Sequence, residues 1–304
     1  MAYIRGNNAG NSLYGTAGSD RIAGYGGNDS FYGRDGADKM FGGNGKDSFY
    51  FYHYSASDVD QIFGNEGDDR LSLFMSGETQ DIVASLDGGF VRLGGVTVLK
   101  MQSVESVSSF NLGAGNDYFA GGAFADSARG GDGNDRLMGR GGNDSLSGLN
   151  GDDVLFGDEG KDYLFGDSGN DVLQGGVGRD TMLGDLGTDR LIGGLGEDSM
   201  IGGEGHDRFV WNSLAEGGDR IPDFQSGQDR LLFQSDAFGG VVVVNDSNFI
   251  ANGIGAARDE DDRFLYSNST QALFFDADGT GEGQKILIGH IYGDAITAAD
   301  ILMF

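Results

Sequence analysis

The chain has 304 residues, of which 58 are Gly, one is Pro and none is Cys, so a disulfide framework, a thiolate zinc site and a cysteine nucleophile are all excluded. Acidic residues outnumber basic ones 48 to 20, and the formal net charge is −28. A chain this acidic is not expected to bind nucleic acid or an anionic membrane surface by charge, and its natural counter-ligand is a cation. We find no apolar run of about 18 residues that could span a bilayer, and no apolar core of a signal peptide at the N-terminus.

The first predicted element is a short array of five nine-residue repeats over 6–50. We number each repeat so that Gly occupies positions 1 and 4, an acidic or amide residue occupies position 6, and an apolar residue occupies position 8. Position 6 is Asn11 in the first repeat and Asp in the other four, which we predict to be metal ligands: Asp20, Asp29, Asp38 and Asp47.

The segment 51–110 breaks this rhythm. One isolated repeat, GNEGDDRLS at 64–72, carries Asp69, which we also predict to be a metal ligand. The stretch 88–107 is rich in Val and alternates apolar and polar residues between turn glycines, a pattern typical of short strands. We therefore predict a β-strand spacer with no chemistry of its own, which could continue the repeat architecture.

The main array, within 111–210, contains eleven unbroken repeats from Leu112 to Val210. Position 8 is apolar in all eleven, and position 4 is Gly in all but one, where Phe124 replaces it. Position 6 is always Asp, and we predict these residues as metal ligands: Asp117, Asp126, Asp135, Asp144, Asp153, Asp162, Asp171, Asp180, Asp189, Asp198 and Asp207. We predict that position-4 glycines contribute ligands too: Gly133, Gly142, Gly151, Gly160, Gly169, Gly178, Gly187, Gly196 and Gly205.

The repeat predicts a stacked solenoid. The six residues with Gly at positions 1 and 4 are typical of a turn, and the three that follow are typical of a short strand. One inward side chain per repeat cannot form a core unless repeats stack. Stacking would place Asp side chains about 4.8 Å apart, where they repel by roughly 3 kcal/mol per pair at an effective dielectric near 20. Arg and Lys occur only sporadically, at positions 2, 5, 7 and 9, so a hard divalent cation such as calcium is expected between carboxylates and turn carbonyls.

These residues resemble the RTX family of secreted bacterial proteins, whose repeat is G-G-x-G-x-D-x-U-x. The repeats at 130–138, 193–201 and 202–210 match it most fully. The resemblance implies an all-β fold, a parallel β-roll with calcium held between each repeat and the next but one, and about twelve calcium ions over both arrays. Sites in the first two repeats of the main array are less certain, because Leu112, Phe124 and the small inward Ala128 depart from the pattern.

The remaining residues, 211–304, are not repetitive and are expected to form a β-rich C-terminal cap with a secretion-signal region. The segment 217–233 resembles the D-x-I-x-D-F-x-x-G-x-D-x-I-x-L sequence that closes the β-roll in secreted RTX proteases and alginate epimerases. The segments 262–283 and 297–304 resemble a hairpin and an ending of type I-secreted proteins. The resemblance implies an extracellular protein whose partners are calcium and the type I secretion machinery.

We find no H-E-x-x-H, G-x-S-x-G or G-K-[ST] motif, and therefore predict that the chain is not an enzyme. The interpretation we favour is a secreted, non-catalytic protein that folds on calcium and acts at a cell surface or in the extracellular matrix, in adhesion or in an interaction with a host or a polysaccharide ligand. The alternative is the export, folding and substrate-binding module of a secreted enzyme such as a protease, lipase or alginate epimerase.

Overall fold

The computed structural model describes residues 1–52, 58–75, 77–257, 262–278 and 285–304. It contains two compact units, Met1–Val154 and Leu155–Phe304, which are described separately. The described residues form strands and two short 3₁₀ helices, Ser235–Phe238 and Ala298–Asp300. The expected domain boundaries, at 50/51, 110/111 and 210/211, rest on changes in the sequence pattern and stay a prediction.

The N-terminal unit contains sixteen strands, most of them three to seven residues long. In chain order they are β1 (Tyr3–Arg5), β2 (Ser12–Tyr14), β3 (Arg21–Gly26), β4 (Ser30–Tyr32), β5 (Lys39–Asn44), β6 (Ser48–Tyr52), β7 (Asp60–Glu66), β8 (Arg70–Phe74), β9 (Ile82–Ser85), β10 (Phe90–Leu93), β11 (Val96–Gln102), β12 (Ser106–Ala114), β13 (Tyr118–Ala120), β14 (Ser127–Asp132), β15 (Arg136–Gly141) and β16 (Ser145–Asn150).

These strands form two sheets. Sheet N1 has the order β1-β3-β5-β7-β11-β10-β9-β13-β15, and sheet N2 has the order β2-β4-β6-β8-β12-β14-β16. Repeats alternate between the sheets, so each repeat pairs in parallel with the next but one, as Arg21 does with Lys39. Strands β7, β8 and β12 continue both sheets through the segment between the arrays. Among the described strands of this unit, β10 alone runs antiparallel to its neighbours, β9 and β11.

The C-terminal unit follows the same plan and ends in a cap. Its strands are β17 (Val154–Glu159), β18 (Tyr163–Ser168), β19 (Val172–Val177), β20 (Thr181–Gly187), β21 (Arg190–Leu195), β22 (Ser199–Gly205), β23 (Arg208–Trp211), β24 (Asp219–Phe224), β25 (Arg230–Phe233), β26 (Phe249–Asn252), β27 (Phe264–Ser267), β28 (Ala272–Phe275), β29 (Ile286–Gly293) and β30 (Ile301–Met303). Sheet C1 has the order β17-β19-β21-β23-β25-β30, and sheet C2 has the order β18-β20-β22-β24-β29-β28-β27-β26.

The division of the repeat into turn and strand differs from the expectation. Strands run from position 7 of one repeat to position 3 of the next, as in β18, and the turn is only the three residues at positions 4 to 6. Position-8 side chains such as Leu164 and Leu173 are fully buried between the sheets. Position 1, expected to lie in the turn, is an inward position of the strand. Its Gly is required there for space and not for a left-handed backbone.

The cap closes one end of the C-terminal unit with an aromatic core. Trp211 is 1% exposed and stacks on Phe233, with ring centroids 5.0 Å apart. Phe238, Phe264 and Phe275 pack around Phe233 and one another. The buried position of Trp211 makes it part of this core and leaves no ring face open to a sugar. Part of the predicted hairpin at 262–283 lies outside the described residues.

The all-β fold, a parallel β-roll with a β-rich C-terminal cap, is therefore confirmed. In the part of the chain that the structure describes, no helix has the length and apolar character needed to cross a membrane.

Candidate metal sites

The predicted position-6 aspartates form buried columns along the solenoid. All sixteen predicted Asp side chains, including Asp69, are between 0% and 3% exposed. Each one is the last residue of a three-residue turn, and its side chain is buried beside the apolar residues of position 8. Burial of so many carboxylates is costly unless each charge is compensated.

One oxygen of each carboxylate is used in a regular ladder. The backbone N–H of an Asp donates to Oδ1 of the Asp one coil further along: Asp20 to Asp38, Asp29 to Asp47, Asp47 to Asp69, Asp117 to Asp135, Asp126 to Asp144, Asp135 to Asp153, Asp162 to Asp180, Asp171 to Asp189, Asp180 to Asp198 and Asp189 to Asp207. These N···O distances are 2.7–2.9 Å. The ladder fixes the orientation of the accepting carboxylates, and their second oxygen, Oδ2, does not take part in it.

In ten of these residues the buried Oδ2 atom accepts no hydrogen bond from any described residue. They are Asp29, Asp38, Asp47, Asp69, Asp117, Asp135, Asp180, Asp189, Asp198 and Asp207. A buried acceptor without a partner costs about 1–3 kcal/mol, and more when it is charged. Ten such atoms in one ordered arrangement point to a cation that the carboxylates are built to hold.

The surroundings of Oδ2 are made of oxygen and glycine. A Cβ built on Gly175, at position 1, would lie 2.4 Å from Asp180 Oδ2 and 2.7 Å from the carbonyl oxygen of Gly193 on the next coil. The same arrangement recurs at Gly184, whose added Cβ would lie 2.3 Å from Asp189 Oδ2. Position 1 therefore has no side chain because a carboxylate and a neighbouring carbonyl already fill that place.

All nine predicted position-4 glycines have a positive φ, between 109° and 150°. Their second requirement is contact between coils. An added Cβ on Gly178 would lie 1.5 Å from the carbonyl oxygen of Gly160, and one on Gly196 would lie 1.5 Å from that of Gly178. The position-4 carbonyls therefore point along the solenoid toward the next turn, within the row of turns that the columns follow.

Burial changes the acidity of the columns. Desolvation, with smaller contributions from neighbouring carboxylates, raises the pKa of Asp135 to about 8 and that of Asp38, Asp69 and Asp180 to about 7. It raises the pKa of Asp117, Asp126, Asp189 and Asp207 to about 6. An ordinary Asp has a pKa near 3.9. The folded columns thus favour either protonation or a bound cation.

Two predicted residues differ, because protein donors satisfy their second oxygen. Asp20 Oδ2 accepts from the backbone and hydroxyl of Thr16, and Asp126 Oδ2 accepts from the backbone of Gly122. Asp126 belongs to the repeat with Phe124, where the sequence departs from the pattern. These two carboxylates have less need of a cation than the ten whose Oδ2 has no protein donor.

The columns also include four acidic residues that were not predicted as ligands. Asp38 donates its backbone N–H to Asp60 Oδ1, and Asp69 donates to Glu105 Oε2. At the other end, Asp198 and Asp207 donate to Oδ1 of Asp219 and Asp229.

Each of the four precedes an x-apolar pair, as position 6 does: D-Q-I, E-S-V, D-R-I and D-R-L. A glycine stands two residues before Asp219 and Asp229, as in the repeats, but not before Asp60 or Glu105. At the cap, Trp211 Nε1 donates to Asp219 Oδ2, and the backbone of Gln225 donates to Asp229 Oδ2. Protein donors therefore terminate the columns at the cap.

The donor set fits calcium, which takes six to eight oxygen ligands from carboxylates and carbonyls. Among the described residues, no three acidic, His or Cys side chains come together as a metal-binding group. A cation in a column would therefore be held by carboxylate oxygens from neighbouring coils and by glycine carbonyls, an arrangement available only in the stacked fold.

Comparison with known proteins agrees with this geometry. The model of the RTX calcium-binding nonapeptide repeat family matches residues 6–49, 55–73, 112–146, 138–173, 147–182 and 174–209. No curated protein sequence matches the chain.

Solved structures similar to the chain include the following two. One is the solution structure of the AlgE6R3 subunit from the Azotobacter vinelandii mannuronan C5-epimerase, with 23% identity over 60% of this chain and 80% of that one and a TM-score of 0.27. The other is the crystal structure of the extracellular lipase LipA from Serratia marcescens, with 16% identity and a TM-score of 0.19. The latter match covers 99% of this chain but only 42% of the lipase chain.

The family model covers more than half of the residues, and the columns of buried Asp lie within the matched repeats. The chain belongs to the RTX calcium-binding nonapeptide repeat family.

Proposed function

We propose that this chain is a secreted, non-catalytic protein that folds when it binds calcium outside the cell and then acts at the cell surface or in the extracellular matrix. The observation that carries the proposal is the set of ten buried Oδ2 atoms that no described residue satisfies. A cation between these carboxylates would stabilise the fold.

We further propose the position-6 aspartates as calcium ligands, with the position-4 glycines supplying carbonyl oxygens. The interior of each column, where Oδ2 has no protein donor, is the strongest part of this assignment. Counting one ion between each repeat and the next but one gives about twelve ions. The column members Asp60 and Glu105 are added to the proposed ligands, because each accepts the same ladder hydrogen bond as the predicted aspartates.

A fold that forms only when calcium binds suits export of the chain from the cell. Calcium binding and folding share one free energy when the site does not exist in the unfolded chain. Extracellular calcium modules bind with dissociation constants of about 10⁻⁴–10⁻³ M, so the chain would stay unfolded at intracellular calcium and fold at extracellular calcium. An unfolded chain is the form that a type I channel can pass, and residues 211–304 are proposed to contain its signal.

The test is a calcium titration of the purified chain from submicromolar to millimolar concentration, with hydrodynamic radius and Trp211 fluorescence as the two signals. Trp211 is the single Trp and donates to Asp219 at the end of a column, so its emission should shift to the blue as the cap forms. We expect both signals to change together within the millimolar range. A compact chain with buried Trp211 at submicromolar calcium would contradict the proposal.

The alternative, an export and folding module of a secreted enzyme, predicts the same calcium dependence. It differs in requiring a catalytic part on the same polypeptide. Detection of the native gene product in culture medium by mass spectrometry, with its full extent, separates the two.

A further inference from the structure

Three tyrosines stack on one another at the outer surface of sheet N2. Tyr14, Tyr32 and Tyr50 occupy position 9 of alternate repeats in the short array and lie in register on β2, β4 and β6. The ring centroids of Tyr14 and Tyr32 are 4.7 Å apart with an interplanar angle of 9°, and those of Tyr32 and Tyr50 are 4.7 Å apart with an angle of 4°. We call these three residues the tyrosine stack.

The roll itself creates the tyrosine stack. Alternate repeats pair in parallel and in register, so side chains at the same position lie one strand spacing apart, about 4.8 Å. On the next strand, β8, Ser72 lies opposite Tyr50, and the stack ends there. The three rings are distant in sequence and therefore meet only when the coils fold onto one another.

The tyrosine stack lies at the surface, where a reagent can reach it. Tyr14 is 51% exposed, and Tyr32 and Tyr50 are half-buried. The core beneath them is filled by the preceding residues of two of these repeats, Phe31 and Phe49, whose rings are 4.7 Å apart. The phenol groups therefore lie outside the core, and core packing does not require their hydroxyls.

Parallel phenols at this spacing suit one-electron chemistry. A phenol that loses one electron and one proton becomes a phenoxyl radical, whose unpaired electron is shared with the ring carbons ortho to the oxygen. Two such radicals join through these carbons, and the hydrogens on the joined carbons then move to the oxygens as both rings regain aromaticity. The small interplanar angles bring the ortho carbons of one ring close to the next ring, and side chains at the surface have room to tilt together.

We propose that the tyrosine stack is a site of oxidative cross-linking, at which hydrogen peroxide acting through a haem peroxidase joins Tyr32 to Tyr14 or Tyr50 as dityrosine. The two phenols together give up two electrons and two protons, which reduce one hydrogen peroxide to two water molecules. This modification goes beyond the proposed function, and it requires the folded roll because only stacked coils bring the rings together.

A covalent bond at this place would reinforce an edge of the sheet. Strand β2 pairs with β4 alone among the described strands, so the first coil is held from one side. The chain has no Cys, and a disulfide therefore cannot tie these coils together. A bond between Tyr14 and Tyr32 would restrict the unfolded chain as a disulfide does.

The experiment treats the calcium-loaded chain with a haem peroxidase and limiting hydrogen peroxide, at a protein concentration low enough to disfavour bonds between molecules. Trypsin releases Tyr14 in peptide 6–21, Tyr32 in 22–34 and Tyr50 in 47–70, so mass spectrometry of the monomer identifies which peptides are joined. The test variant is Tyr32→Phe, which keeps a ring in the stack and removes the phenol. The control variant is Tyr163→Phe, since Tyr163 is 42% exposed and lies opposite Thr181 on the next strand.

We expect peptide 22–34 to be joined to 6–21 or to 47–70 with the loss of two hydrogen atoms. Tyr32→Phe should lose both joined pairs, because Tyr14 and Tyr50 lie two strand spacings apart, and Tyr163→Phe should give the same yield as the unmodified chain. In urea the preference for these two pairs should disappear.

Absence of both pairs from the unmodified chain, an equal yield of joined peptides from Tyr32→Phe, or the same pattern of pairs in urea would overturn the proposal. Far-UV circular dichroism of each sample in calcium and in chelator reports folding separately. A chain that is folded in chelator and still forms the two pairs would contradict calcium-dependent folding and support the cross-linking site, so the two failures are distinguishable.

Discussion

The position-4 glycines allow the packing of coils to be tested separately from backbone conformation. In Gly178→Ala, two costs combine. The residue has φ 147°, a sparsely populated region that costs a non-Gly residue roughly 1–3 kcal/mol. Its new Cβ would also lie 1.5 Å from the carbonyl oxygen of Gly160, so the two coils must separate. Overpacking of this kind typically costs a further 1–3 kcal/mol, and we expect a total loss of about 2–6 kcal/mol.

Two other glycines serve as matched controls. Gly227 has φ 84° with nothing within 4 Å of an added Cβ, so Gly227→Ala should lose only the conformational part, about 1–2 kcal/mol. Gly18 has neither a positive φ nor a close neighbour, and Gly18→Ala should change stability by less than about 0.5 kcal/mol.

The assay is urea unfolding of the three variants in saturating calcium, followed by far-UV circular dichroism. The expected order of destabilisation is Gly178, then Gly227, then Gly18. If Gly178→Ala and Gly227→Ala lose the same stability, the close approach of coils at position 4 has no energetic role and the reasoning is refuted.

Two further predictions concern the columns. Asp180→Asn should raise the calcium concentration at half-folding by at least about tenfold, whereas Asp158→Asn, a control at an exposed position 2, should leave it unchanged. Calcium titration followed by circular dichroism measures both midpoints, and equal midpoints would contradict the assignment of Asp180 as a ligand. In chelator, the free energy of unfolding should increase as the pH falls from about 8 to about 4. Desolvation raises the pKa of Asp135 to about 8 and that of Asp180 to about 7 in the folded state, compared with an ordinary value of about 3.9. The folded state therefore binds more protons than the unfolded state in that pH range. The gain is complete below the unfolded pKa and is lost as the pH rises through the folded values; β content that falls steadily on acidification in chelator would show the reverse sign.

Much of the fold could be predicted because one residue type at each of two positions determines it. An apolar position 8 and an Asp at position 6, repeated every nine residues, indicate a stacked core with carboxylates beside it. The predicted extent of the turn was wrong, because the only reason considered for a Gly was a left-handed backbone conformation. Gly175 shows the other reason for a glycine, since the place of its Cβ is taken by Asp180 Oδ2.

The continuation of the columns between the two arrays could not be predicted from the repeat pattern, because that pattern has a glycine two residues before the acid and these positions do not. Asp60 and Glu105 lie in the segment without repeats, yet their oxygens accept the same ladder hydrogen bonds. The pairing of surface side chains across strands could not be predicted for a different reason. Arg21 and Lys39 look sporadic along the chain and become neighbours only when alternate repeats fold onto one sheet.

The central claim is that calcium supplies the charge that lets the buried Asp columns fold. The most direct measurement is far-UV circular dichroism at neutral pH, first in excess chelator and then in millimolar calcium, with bound calcium counted by equilibrium dialysis in the same samples. We expect little β structure in chelator, and a β-rich spectrum in calcium with about twelve ions bound per chain. Equal β content in both conditions, or a folded chain with no bound calcium, would contradict it.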